Sequence, residues 1–264
     1  MVSKIKNYII HLIKEVDRKI LFNFLYKLKQ KFLSLRSKLT LSKIEYKFNL
    51  YYEKKASTLS LLCDEHQCDK GYFNLTKRIF FRDLHPHTYA DLYSLLFDHC
   101  RNDVKKVFEC GIGTNNPALP SSMGIQYKPG ASLRVWKDYF PKAIIYGGDV
   151  DKNILFEEER IKTFEVDQLN QYSIQKMWNN IKEDNFDLII DDGLHTYEAG
   201  VILFNNSYSM LRNGGLYVIE DVHPSYLYKL SNFFIKNYET QIITLKSNSR
   251  KLLEDNNIIL IRKK

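Results

Sequence analysis

Along residues 1–55, Ile5, Ile9, Leu12, Ile13, Val16, Ile20, Phe24, Leu28 and Phe32 recur at spacings near 3.6, with lysines between them. That period puts them on one face of a helix. No Pro or Gly precedes Gly71, so two or three helices are predicted, broken near residues 34–42. A further amphipathic helix is predicted over 90–97, capped near Thr88. From 104 onward the pattern changes to short β-rich runs at 104–110, 143–148, 161–166, 186–190, 216–219, 240–246 and 257–262. Helical stretches such as 173–182 separate them, and Asn213-Gly214-Gly215 reads as the turn before the fifth run. Strand–helix alternation predicts a parallel sheet with helices on both faces. The last two runs stand only about ten residues apart, too close for a helical crossover, so they are expected to pair antiparallel. The expected fold is α/β: a Rossmann-like, seven-stranded, mostly parallel sheet with a C-terminal antiparallel strand, over 61–264. A basic, amphipathic helical arm over 1–60 precedes it.

Charge sharpens this division. Residues 1–55 carry 14 Lys and Arg against 4 Asp and Glu, whereas the remainder carries 25 against 27. The high pI therefore belongs to the arm, and the body lacks the basic balance that nucleic-acid binding requires. The arm is expected to pack on the domain or to form a homo-oligomer contact. Docking to a protein, or to an anionic membrane surface, is the alternative. No run of 18 apolar residues and no cleavable leader is apparent, and Cys63, Cys68, Cys100 and Cys110 lack the spacing of a disulfide framework. A cytoplasmic setting is expected, with a peripheral place at the inner membrane face if the arm binds lipid. Cys63, His66 and Cys68 match no zinc-knuckle pattern.

Three stations carry candidate chemistry. The first is Phe108-Glu109-Cys110-Gly111-Ile112-Gly113-Thr114-Asn115-Asn116-Pro117, directly after the first sheet strand. Gly111 and Gly113 allow a tight turn and close approach to a ligand, and Glu109 suits an amino group better than a pyrophosphate. Asn116 stands where a dinucleotide fingerprint would place its third glycine, which argues against a nicotinamide-dependent oxidoreductase. The second station is acidic: Asp149, with Asp151 as backup, follows the second strand, and Asp167-Gln168 follows the third. A carboxylate there can accept both ribose hydroxyls of a nucleoside, and Asp167 with Gln168 can hydrogen-bond an adenine edge. The third is Asp191-Asp192-Gly193-Leu194-His195 after the fourth strand, with Glu220-Asp221 after the fifth. Carboxylates gathered at one sheet edge repel unless a cation sits among them, and a hard divalent ion suits oxygen ligands. His195 could stand beside that ion as a base.

With these stretches in hand, the chain resembles class I S-adenosylmethionine (SAM)-dependent methyltransferases. More closely, it is similar to the metal-dependent sugar O-methyltransferases of the mycinamicin and macrocin type. The matching stretches are Cys68-Asp69-Lys70-Gly71, Phe108 to Pro117, Ser132-Leu133-Arg134-Val135-Trp136, Tyr146 to Asp151, Val166-Asp167-Gln168, Ile190 to His195 and Gly214 to Asp221. The chain departs from the usual glycine loop at Asn115, a residue that tolerates a left-handed backbone. The resemblance implies that Glu109, Gly111 and Gly113 hold the methionine end of SAM, Asp149 its ribose, and Asp167 with Gln168 its adenine. Asp191 is expected at the same cofactor site. It further implies Mg2+ or another divalent cation on Asp192, Glu220 and Asp221, with His195 as general base. The acceptor implied is a sugar hydroxyl, on a nucleotide-linked hexose or heptose or in a surface polysaccharide. The rival of another class is a non-catalytic SAM-binding scaffold in a glycan-assembly complex, against which the intact acids and His195 argue. The long segment 114–131, with Pro117, Pro120 and Pro129, is expected to wall the site or cover it.

Overall fold

The computed structural model describes residues 47–52, 57–71, 87–247 and 255–264. Its strands are β1 (Lys47–Tyr52), β2 (Lys106–Cys110), β3 (Ile144–Asp149), β4 (Glu157–Glu158), β5 (Ile161–Glu165), β6 (Phe186–Asp191), β7 (Leu211–Ile219), β8 (Glu239–Ser247) and β9 (Asn257–Arg262). The helices are α1 (Thr58–His66), α2 (Tyr89–Phe97), α3 (Ala131–Tyr139), α4 (Gln171–Ile181), α5 (Tyr197–Ser207) and α6 (Pro224–Ile235). Among the described residues the strands form one nine-stranded sheet in the order β1-β8-β9-β7-β6-β2-β3-β5-β4. The pairs β4–β5, β7–β9 and β8–β9 are antiparallel; the rest are parallel. The seven expected strands are therefore present as a mostly parallel sheet, and β9 is the antiparallel strand slotted between β7 and β8. Two edge strands, β1 and β4, extend it to nine.

β1 corrects part of the expected helical arm. Phe48 and Leu50 alternate with Lys47 and Asn49 at period two, and the segment pairs parallel to β8 from Lys47↔Ile242 to Tyr52↔Ser247. The sheet thus reaches back before residue 60, and α1 straddles that boundary. The rest of the arm, residues 1–46, lies outside the described residues, together with the docking and oligomer roles expected of it.

A second correction concerns Asn213-Gly214-Gly215, which lies within β7 rather than in a turn before it. The pairing of β6 with β7 shifts register between Phe186 and Leu188, and Gly214 takes φ 78° there. A strand interruption that needs a left-handed residue is a bulge, and glycine fills it without strain.

The central strands are buried on both faces, as a sheet covered on two sides requires. Val107 of β2 and Leu188 and Ile190 of β6 pack with Tyr93, Leu133 and Trp136 from α2 and α3. Phe108 and Ile189, one residue out of phase, pack with Trp178, Phe204 and Phe234 from α4, α5 and α6. Thr88 occupies the N-cap position of α2, but its side chain makes no cap bond and accepts instead from Asn256 Nδ2 at 3.3 Å. Among the described residues no helix is long and apolar enough to cross a membrane.

Register then sets the site. Cys110 stands beside Gly148 on one side and Asp191 on the other, and Asp191 stands beside Ile219. The residues that follow, Gly111, Asp149, Asp192 and Glu220, therefore share one edge of the sheet. The chain reverses its direction of build-up between β2 and β6, and such a switch point opens a crevice at the carboxyl ends of the strands.

Candidate functional site

Two adjoining clefts open at that edge. The larger, about 230 Å³, is lined by Gly111, Pro120, Asp149, Asp167, Gln168 and Leu194 among others. The smaller, about 60 Å³, includes Gly113, Asp192, His195 and Asp221. They share Gly111, Ser121, Asp149 and Gly193. Segment 114–131 supplies Leu119, Pro120 and Ser121 to the outer wall, the walling role expected of it. A cleft of about 400 Å³ lies away from these strand ends, among Leu96, Cys100, Arg212 and Arg262.

On the larger side the polar stations are built locally. Gly111 takes φ +89°, and a Cβ there would stand 2.0 Å from the backbone oxygen of Asp192. The β2 and β6 loops can approach this closely only over a glycine. The Asp149 carboxylate accepts from Ile112 N and Asp151 N, each at 3.0 Å, which ties the glycine loop to the end of β3. Burial pushes its pKa up, against those backbone hydrogen bonds. Each carboxylate oxygen retains capacity for a second donor, and Asp149 lines both clefts. Asp151 accepts from the Thr114 hydroxyl at 2.7 Å and from Asn153 N at 3.0 Å. Asp167 is exposed on the cleft wall, with Oδ1 accepting from Leu169 N at 2.9 Å.

Gln168, Asp191 and Glu109 are engaged elsewhere than the sequence reading expects. Gln168 donates from Nε2 to Asp191 Oδ1 and accepts at Oε1 from Leu194 N at 2.9 Å. Its amide thus clamps β5 to the loop after β6, although the residue lines the cleft. Asp191 is buried at 3% exposure and lines neither cleft; burial pushes its carboxyl up to about 6. Glu109 is fully buried beneath the glycine loop, where Oε2 accepts from Trp136 Nε1 at 2.8 Å and Oε1 stands 3.1 Å from Lys70 Nζ.

The smaller side is an ionic cluster. The Lys70 ammonium, 3% exposed, donates to Asp192 Oδ2 and Glu220 Oε2 and pairs with Glu109. Burial works to lower its pKa, but Asp192, Glu220 and Glu109 raise it well above the usual lysine value. Tyr93 donates to the other oxygen of Glu220, and Tyr89 donates to Asp221 Oδ1. His87 stacks on the Tyr89 ring at 4.7 Å between centroids, with Nδ1 3.4 Å from Asp221 Oδ1. Burial pushes the Glu220 and Asp221 carboxyls up, the first by a large margin, while Lys70 and His87 respectively oppose it.

The outward-facing oxygens meet at His195. Its Nε2 lies 4.0 Å from Asp192 Oδ1 and 3.9 Å from Asp221 Oδ2. Both His195 (φ 54°) and Asp221 (φ 50°) hold left-handed backbones, an uncommon state for residues other than glycine. One ligand atom from each of Asp192, His195 and Asp221 lies within 4.8 Å of the others, and so does one from each of Glu109, Asp192 and Glu220. Metal–oxygen bonds of about 2.0–2.1 Å suit the first set for a magnesium-sized ion. The second set surrounds the Lys70 ammonium. Of the expected ligand set Asp192, Glu220 and Asp221, the consecutive residues Glu220 and Asp221 direct their carboxylates to Lys70 and His195 respectively.

Lys70, Tyr89, Tyr93 and Trp136 are site residues to which the sequence reading assigns no role. For Lys70 and Trp136 the signal was membership of the matching stretches Cys68-Asp69-Lys70-Gly71 and Ser132 to Trp136. Cys63 and Cys68 are both buried, while His66 Nε2 stands 2.7 Å from Asp138, apart from this cluster.

No family model matches the chain. It is 34% identical over 141 residues to the 8-demethyl-8-alpha-L-rhamnosyl tetracenomycin-C 2'-O-methyltransferase of Streptomyces olivaceus, covering 53% of this chain and 34% of that protein. It is also 34% identical over 142 residues to the demethylmacrocin O-methyltransferase of Streptomyces fradiae, covering 53% and 33%. The chain thus spans about a third of the length of the curated relatives it matches. Among solved structures, the methyltransferase MycE of the mycinamycin biosynthetic pathway, in complex with Mg, SAH and mycinamycin VI, superposes with a TM-score of 0.55. That match is 23% identical and covers 79% of this chain and 55% of MycE. The fold is an α/β methyltransferase fold. The resemblance to sugar O-methyltransferases of the mycinamicin and macrocin type, first seen in short motifs, thus extends over half the sequence and most of the structure.

Proposed function

We propose that the chain is a SAM-dependent O-methyltransferase that uses a divalent cation, Mg2+ in the first instance, and methylates a sugar hydroxyl. The observation that carries this reading is the seam between the clefts, where a nucleoside-sized space with Asp149 on its wall adjoins Asp192, Asp221 and His195. The names of the relatives support a glycosylated acceptor. The finer reading is a nucleotide-linked hexose or heptose or a surface-polysaccharide unit; the Lys-, Ile- and Asn-rich composition, which suggests an AT-rich genome, favours the surface glycan over macrolide tailoring.

The residues fit both groups. Four carboxylates, Glu109, Asp192, Glu220 and Asp221, face one lysine ammonium and two histidines, His87 and His195, a set of oxygen donors that suits a divalent ion. Asp192 Oδ1 and Asp221 Oδ2 would hold that ion; Asp149 would accept the ribose hydroxyls, with Asp167 toward the adenine. When bound, SAM supplies an electrophilic methyl group and the cation a Lewis acid for the acceptor oxygen. His195 Nε2 accepts the hydroxyl proton, and Asp192 and Asp221 favour the imidazolium that results. The loop over Gly111 lets the nucleoside lie against the strand ends, and walls from segment 114–131 restrict water. Much of the rate then comes from holding acceptor and donor in register across the seam.

The test is methyl transfer from labelled SAM to a panel of nucleotide sugars and glycosides, with and without EDTA. Turnover on at least one sugar, abolished by EDTA and restored by Mg2+, is the expected result. Full turnover in EDTA removes the metal from the mechanism. Failure to bind SAH in calorimetry sinks the methyltransferase reading.

A further inference from the structure

We propose that Arg134 is a positioning residue for the cofactor cleft: its guanidinium clamps the returning end of segment 114–131 to the β4–β5 hairpin, and so seats the cleft wall on the glycine loop. The inference rests on the SAM-binding reading above and deepens it.

Between Thr114 and Gly130 the chain forms no helix or strand. A connection of that length keeps one conformation only where it is pinned. Met123 N donates to Thr114 O at 2.8 Å, and Gly130 N donates to Ile112 O at 2.7 Å. Between these two bonds the buried Tyr127 ring lies over Gly113 and leaves no room for a Cβ there. The segment walls both clefts, the larger through Leu119 and Pro120 and the smaller through Met123 and Tyr127. Where the segment sits therefore sets the width of the space above Gly111 and Gly113.

Arg134, in the first turn of α3, holds the last pin in place. Its Nη1 donates to Pro129 O at 2.9 Å, and its Nε and Nη2 donate to the Glu158 carboxylate at 2.6–3.2 Å. The guanidinium carbon stands 4.5 Å from the centroid of the Phe156 ring. A planar guanidinium can make these contacts together, which an ammonium cannot. The Phe156 ring covers Gly130, whose φ of 74° favours glycine. Phe156 is itself fixed to β5, since Thr163 Oγ1 accepts from Phe156 N at 2.5 Å and donates to Phe156 O at 2.6 Å. Gly130 passes the clamp to Ile112, and Ile112 N donates to Asp149 Oδ2 at 3.0 Å. One residue of the glycine loop thus links the clamp to the carboxylate assigned to the ribose. Arg134 lines neither cleft, so it acts through the wall and not on the cofactor.

The experiment is amide hydrogen exchange on the full chain, read residue by residue, with calorimetric titration of SAH alongside. In Arg134→Met the amides of Met123, Tyr127 and Gly130 are expected to exchange at least about tenfold faster than in the parent, with those of β2, β6 and β7 unchanged. SAH is expected to bind at least about tenfold more weakly to the same variant. Arg134→Lys keeps the charge but cannot hold Glu158 and Pro129 together, so it is expected to fall between the two. Exchange that rises equally in the central strands makes Arg134 a general stabiliser and overturns the inference. A folded Arg134→Met with parental SAH affinity overturns it as well. Should that variant not fold, Glu158→Gln decides: weaker SAH binding with faster exchange at Gly130 is expected, and parental values of both overturn the inference. No SAH binding by the parent chain sinks the SAM reading and the cofactor role with it, while exchange at the three amides still tests the clamp.

Discussion

The two sides of the glycine loop solve the same problem, how to keep carboxylates at a sheet edge, by opposite means. On the nucleoside side, Asp149, Asp151 and Asp167 each accept from a backbone N–H two residues further on. Those bonds belong to the local turn and form wherever the loop forms. On the acceptor side, Asp192, Glu220 and Asp221 are held by Lys70, Tyr93 and Tyr89, at sequence separations of 122 to 150 residues. That side exists only when Lys70 and α2, which carries Tyr89 and Tyr93, are docked. The nucleoside station is thus a property of three loops, and the acceptor station a property of the whole fold. A change on the second side is therefore expected to disturb stability as well as chemistry, and one on the first side mainly affinity.

The sharpest test of that contrast is Lys70→Met. Removing one partner of a buried ion pair leaves uncompensated charge and costs about 3–5 kcal/mol. Here Glu109 and Glu220 would lose their cation while fully buried. Urea unfolding without metal is expected to show a loss of that size, with β-sheet content retained in water. A loss below about 1 kcal/mol would mean that Lys70 is not a structural member of the site, and the contrast between the two sides would collapse.

Next in size is His195→Ala. Its imidazole makes no hydrogen bond within normal range in the structure, standing 3.9–4.0 Å from two carboxylate oxygens, and it is 31% exposed. Loss of a general base costs roughly 100-fold or more in turnover. Stability and SAH affinity are expected to stay near those of the parent, because the side chain supports neither the core nor the nucleoside cleft. Full turnover in this variant would transfer the role of base to another group, such as His223. The structure places His223 at the N-cap of α6, accepting from Ser225 N at 3.2 Å.

The same local-versus-distant contrast accounts for what could be seen in the sequence. The strands β2, β3, β5, β6, β8 and β9 each form a continuous β-rich run, and their order of appearance with helices between them implies a parallel sheet. Acids placed directly after those runs had to fall on one edge. Their identity as site residues was legible because register follows from strand ends. Which atom each carboxylate would face was not legible, since Lys70, Tyr89 and Tyr93 are brought in by packing of α1, α2 and α3 on the sheet, which no short pattern encodes. Gln168 shows the converse failure: its position after β5 was visible, but its amide is claimed by Asp191 and Leu194 across the cleft floor. β1 is masked in the sequence because it follows the helical period of residues 5–32, and Phe48 and Leu50 offer only two positions of strand alternation. Gly214-Gly215 looked like a turn because a bulge inside a strand needs the same residue type.

The smallest expected effect lies on the nucleoside side, at Asp149. Its two oxygens accept from Ile112 N and Asp151 N, and it is the carboxylate that lines both clefts. Asp149→Asn keeps the shape but removes the charge and turns one acceptor into a donor facing a backbone N–H. A charged hydrogen bond contributes about 1.5–3 kcal/mol, and loss of the ribose contact is expected to weaken SAH at least tenfold, roughly 1.4 kcal/mol. The melting temperature is expected to move little, because the strands on either side are held by their own ladders. Calorimetric titration of SAH, alongside a thermal melt, reads both quantities. Unchanged SAH affinity would move the ribose contact to Asp151. A large fall in melting temperature would mean that the glycine loop, like the acceptor side, is held by the fold as a whole, and the two sides would then differ in chemistry but not in construction.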